Sequence, residues 1–112
     1  MARVVIGSPP SAPEPIRSPA DFRRILREGR RIRKAGLTVV IAQSPYDYSR
    51  LGLVVSRRVG SAVVRNRIKR RVRAAAREAD LPAADYVVIP TAEVATMPYP
   101  ELVSGLTESS VS

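Results

Sequence analysis

Between Arg57 and Arg77 the chain places nine lysines and arginines and no acid. Guanidinium and ammonium groups at this density do one kind of chemistry well: they neutralise phosphates. The chain has 19 basic and 10 acidic residues, so the formal charge of +9 is supplied in full by this stretch. A polyphosphate chain is its natural partner.

Other chemistries are poorly provided for. Cys and His are both absent. That removes disulfides, thiolate and imidazole metal sites, and every nucleophile or base built on either residue. The acids are scattered. Asp80 and Asp85 come nearest to a pair, and they read as a solvated loop between two elements. No catalytic residue and no protein-borne metal site is expected. Residues 78–112 hold six acids and no base, so the C-terminal third is a poor surface for phosphate.

A length of 112 residues with 45% hydrophobic content suits one domain with a modest core. No apolar run approaches the ~20 residues of a membrane span. The apolar start at residues 4–6 is too short for a signal peptide. The expected location is the cytoplasm.

The positioning elements follow from local pattern. Residues 1–17 are rich in Pro, Ser and Gly and read as a flexible tail. Ser18, Pro19 and Asp21 then open a helix as cap, first residue and first-turn acid. Phe22, Ile25 and Leu26 make its apolar stripe, and Gly29 stops it. Residues 37–42 (L-T-V-V-I-A) and 51–56 (L-G-L-V-V-S) read as strands forming an antiparallel pair, with a turn at 44–47. Residues 31–33 read as a further short strand. A long helix covers 62–79, residues 85–90 (D-Y-V-V-I-P) make another strand, and 98–106 a last helix. Residues 107–112 read as a frayed tail. The fold class is α+β: one domain over 18–106, its helices laid on a small, mostly antiparallel sheet.

On a helical wheel the long helix divides. Val64, Ile68, Val72, Ala75, Ala76 and Ala79 cluster on one side. Arg65, Asn66, Lys69, Arg70, Arg73 and Arg77 fill a second sector, and Arg67 and Arg71 flank the apolar edge. Like charges four apart, such as Arg65 with Lys69, weaken an isolated helix by ~0.2–0.5 kcal/mol per pair. An ordinary solvated face mixes both signs. An anionic membrane would want bulky apolar residues opposite the cations, and this face is Val, Ile and Ala, better suited to a sheet. No aromatic lies within the helix, so phosphate and shape recognition fits better than base stacking there. A general structured-RNA binder, such as a ribosomal protein or RNA chaperone, and a DNA or membrane binder all remain open to charge alone.

The ordered run R-L-G-L-V-V-S-R-R-V-G-S-A-V-V-R-N-R-I-K-R-R-V-R, from Arg50 to Arg73, resembles the signature of the bacterial ribonuclease P protein subunit. Asp21-Phe22 with the following R-R-I-L-R-E-G, and D-Y-V-V-I-P at 85–90, are similar to that family's first helix and last strand. The resemblance covers roughly 20–106. It implies a ribosomal-protein-S5-domain-2-like fold with a left-handed βαβ crossover between the strands at 51–56 and 85–90. It implies an accessory subunit of a ribonucleoprotein endoribonuclease. That subunit binds a catalytic RNA and the 5′ leader of precursor tRNA, with hydrolysis at Mg2+ held mainly by the RNA. Neither DNA nor membrane is an implied partner. By resemblance, Arg57, Arg58, Arg65, Asn66, Arg67, Lys69, Arg70 and Arg73 contact RNA, and Phe22, Leu26 and Arg57 take the leader. For Phe22, ordinary core packing is the competing role.

The chain departs from the family in three places. Its lead-in, residues 13–19, is Pro-rich with a single Arg. Ala74-Ala75-Ala76 stands where a bulky aromatic is common, which anchors the helix less strongly. The C-terminal helix lacks the family's common basic residues.

Overall fold

The computed structural model describes residues 12–111. Helix α1 spans Pro19–Glu28, with the Ser18 side chain accepting from the Asp21 N–H at its start. Strands β2 (Arg30–Lys34) and β3 (Leu37–Ala42) form a hairpin turned by Ala35 and Gly36, both at positive φ. Strand β4 covers Arg50–Leu53 and β5 covers Asp85–Pro90. Between them lie a 3₁₀ turn, Arg57–Val59, and the long helix α2, Ala62–Ala79. A second 3₁₀ turn, Ala92–Ala95, leads to α3, Tyr99–Ser110.

A short strand β1, Glu14–Pro15, completes a five-stranded sheet of order β1-β4-β5-β3-β2. The pairings β1–β4 and β4–β5 are parallel, while β5–β3 and β3–β2 are antiparallel. The α+β class is as expected, and the sheet is mixed. The expected antiparallel pair of β3 with β4 does not form, because β5 lies between them. All of β5 but Ile89 is buried, and such a strand belongs at a sheet centre covered on both faces. Parallel β4 and β5 are joined through α2, which is the βαβ connection the resemblance implied.

Strand alternation sorts the side chains into two layers. Leu37, Val39, Leu51, Tyr86 and Val88 face α2 and α3, where they meet Ile68, Val72, Ala75, Ala76, Leu102 and Leu106. Val40, Ala42 and Val87 face α1, where they meet Ile25 and Ile16. Burying ~1.5–3 kcal/mol of hydrophobic free energy per large aliphatic side chain on both faces holds the three layers together. Ala75 and Ala76 are fully buried in the core shared with α3.

Two expectations about the ends change. The flexible-tail reading of 1–17 lies outside the described residues for 1–11, but Glu14 and Pro15 pair with β4 and Ile16 is buried. Only alternate residues donate along this edge: the Glu14 N–H to Ser49 O and the Ile16 N–H to Leu51 O, both at 2.9 Å. Pro15, which has no N–H, falls at the outward position an edge strand leaves free. At the other end, α3 runs past the expected 106 to Ser110. Ser109 is buried, its Oγ donating to Gly105 O at 2.7 Å.

Candidate nucleic-acid interface

The Ser61 side chain caps α2 by accepting from the Val64 N–H at 3.3 Å. Gly60 before it has φ 152, and a Cβ there would stand 3.0 Å from Val64 Cγ1, so glycine is required. Arg65 Nη1 donates to Gly60 O at 2.8 Å and ties the first turn back to this loop. Below the helix, Ile68, Val72, Ala75 and Ala76 are buried in the sheet's core.

The cationic sector therefore has to point outward. Asn66, Arg67, Arg70, Arg73 and Arg77 are exposed, while Arg65 and Lys69 are half-buried along their stems. Arg57 and Arg58 are exposed in the 3₁₀ turn that leads into the helix. Among the described residues, no cation from Arg57 to Arg77 is paired with a carboxylate.

Arg71 is the exception in direction. Its Nη2 donates to Met97 O, strapping α2 to the loop before α3, and its Nε is buried without a partner. From the sequence Arg71 falls only on the flank of the apolar face, and its neighbours in the chain give no sign of this inward role.

The expected leader residues lie on the other side of the sheet. Phe22 packs on the bare backbone of β4, where a Cβ on Gly52 would meet its Cζ at 2.5 Å. Phe22 and Leu26 are both half-buried beside Ile89. Core packing and an open face are thus both true of Phe22. Arg57 stands in the turn joining the strand under Phe22 to the helix that carries the cations. Pairing register adds two arginines that the sequence alone does not mark. Arg31 lies opposite Val40 and Arg33 opposite Thr38, so both sit on the α1 face of the sheet and both are exposed. The cue was period two in R-R-I-R-K, with Ile32 turned to the opposite face.

A charge network anchors α1. Asp85, expected in a solvated loop, has no exposed surface. Arg50 Nε donates to its Oδ1 at 2.7 Å and Nη2 to its Oδ2 at 2.8 Å; Arg24 Nη2 donates to Oδ2 at 2.6 Å. Burial pushes the Asp85 carboxyl up, but the hydrogen bonds from Arg50 and then Arg24, with their charges, hold it below its ordinary value. The bond to Asp85 raises Arg50 in turn, against the opposing cost of burial. Arg50 also donates to Asp21 Oδ2 at 3.3 Å. The Tyr46 ring covers its guanidinium at 5.0 Å and stacks on Tyr48 with centroids 5.0 Å apart. Asp21 and Asp85 are thereby committed to arginines, so this pair of carboxylates does not fit a Mg2+ site.

The model of the Ribonuclease P family matches residues 11–110. The chain belongs to that family. Ribonuclease P protein components similar to it include those of Syntrophobacter fumaroxidans, 48% identical over 54% of this chain, and Thermus oshimai, 42% identical over 79%. The chain spans 50% and 56% of those two relatives' own lengths. Two solved ribonuclease P proteins share the fold. That of Thermotoga maritima has a TM-score of 0.76 at 32% identity, covering 87% of this chain and 94% of that one. That of Staphylococcus aureus has a TM-score of 0.74 at 30% identity, covering 87% and 91%.

Proposed function

We propose that the chain is the protein subunit of ribonuclease P. It binds the catalytic RNA through the outer face of α2 and holds the 5′ leader of precursor tRNA on the α1 face of the sheet. The observation that carries this is the row of cations on α2 with no carboxylate partner, on a chain of this family. Unneutralised cations on a rigid helix release counterions when they meet an RNA backbone.

The residues assigned to the RNA subunit are Arg57, Arg58, Arg65, Asn66, Arg67, Lys69, Arg70 and Arg73. Phe22 and Leu26 offer the leader an apolar strip, and Arg57, Arg31 and Arg33 flank it with charge. The protein binds and orients. Mg2+ is assigned to the RNA, because the two carboxylates drawn together here are already held by Arg24 and Arg50. The cytoplasm is its proposed location.

The test adds the purified chain to a bacterial ribonuclease P RNA at low Mg2+ and follows precursor-tRNA cleavage. Cleavage should rise. No rise overturns the reading, and equal affinity for an unrelated structured RNA would return the general RNA binder.

A further inference from the structure

We propose that the chain carries a second RNA-backbone site, a groove between β1 and the C-terminal half of α2. The inference rests on the RNA-binding reading above and extends it past Arg73 to Arg17, Arg77 and β1, which that reading leaves without a role.

The groove has a volume of about 340 Å³. Ala12, Pro13, Pro15 and Leu51 line it with apolar residues, and Arg17, Arg73 and Arg77 with basic ones. Register explains how Arg17 arrives there. Pro15 pairs with Leu51, whose side chain joins the α2 core, so positions 13, 15 and 17 turn toward α2 while Ile16 turns to α1. Docking of β1 thus carries an arginine from the start of the chain to the far end of the basic helix. Among the described residues, none of the three arginines is in an ion pair, and no carboxylate lines the groove. Glu14 points to the opposite face, in register with Arg50.

Three arginines lining one groove repel one another unless an anion lies between them. Arg65, Lys69, Arg73 and Arg77 are spaced four apart and form one row of ~18 Å along α2. The groove closes that row at its C-terminal end. A strand of RNA tracked along the row enters it at Arg73, with phosphates on the arginines and a ribose or base face on the prolines. The prolines have no N–H to read a base edge, so the site is indifferent to sequence.

The test uses the full chain and a bacterial ribonuclease P RNA. Arg17→Ala/Arg77→Ala should make the log–log salt dependence of binding shallower by ~2, against ~1 for Lys69→Ala. If the double variant keeps the native slope while Lys69→Ala loses its share, the groove is not a phosphate site and the RNA-binding reading stands. If neither slope moves, both fall. A second arm leaves the arginines in place. The chain has no Cys, so a hydroxyl-radical probe tethered at Ala12→Cys reports only its own surroundings. Strand scission in the bound RNA supports the groove. No scission, with scission from a probe at exposed Val63→Cys, overturns it.

Discussion

Arg50 closes a two-pronged clamp on the carboxylate of Asp85, with N–O distances of 2.7 and 2.8 Å. The two residues pair across parallel neighbouring strands, and Asp85 has no surface exposed to solvent. Arg24 adds a third bond from α1, so one buried charge locks the helix to the sheet's centre.

Asp85→Asn should therefore cost ~3 kcal/mol in urea unfolding at pH 7, since it strands two guanidinium groups. The pH dependence has a definite sign. The folded carboxyl lies below its unfolded value of ~3.9, so its contribution is full above about pH 4. It is lost as pH falls through the folded value. The native chain should lose stability below about pH 4, and the gap to Asp85→Asn should narrow there. A gap that stays constant to pH 3 would show that the clamp is not the titrating element.

Gly52→Ala should disturb the α1 face without touching α2. The new methyl would stand 2.5 Å from Phe22 Cζ, so the ring must leave its seat, at ~1–3 kcal/mol. Removing the ring as well should relieve the clash. A double-mutant cycle with Phe22→Ala should show coupling of at least ~0.5 kcal/mol. Under the proposed function, Gly52→Ala lowers affinity for precursor tRNA with a leader and leaves affinity for the RNA subunit unchanged. Additive stabilities would refute the packing account.

Elements written in one local signal were legible from sequence. Helix α2, with its cap, its apolar face and its outward cations, and strand β5 keep their expected bounds. What sequence hid was whatever needed a distant partner. The prolines around Glu14 look incompatible with a sheet until Ser49 and Leu51 supply acceptors two residues apart. Asp85 looks solvated until Arg50 and Arg24, far back in the chain, are folded onto it. The order β4-β5-β3 is equally non-local, because a crossover helix lets residues 85–90 displace the nearer strand.

Lys69→Ala is the clean probe of the α2 face. Its loss should weaken binding to ribonuclease P RNA and make the salt slope shallower by ~1. Arg65→Ala should do the same and also loosen the start of α2, because Arg65 holds Gly60 O. Filter binding from low to high salt, with thermal melting alongside, separates the two. An unchanged slope for Lys69→Ala would remove the phosphate role.

Arg71→Met should show the opposite pattern from its neighbour Arg70. Both are arginines in the same basic run, yet Arg70 is exposed while Arg71 reaches inward to the carbonyl of Met97. Replacing Arg71 with Met keeps much of the apolar stem and removes both the strap and a buried, unpartnered Nε. The carbonyl of Met97 loses its donor, at ~1–3 kcal/mol, partly offset by removal of the orphaned N–H. The melting temperature should fall while the salt slope of RNA binding stays native. Arg70→Ala should leave melting unchanged and make the slope shallower by ~1. If Arg71→Met instead flattens the slope and leaves melting intact, Arg71 faces RNA and α3 is held in place without it.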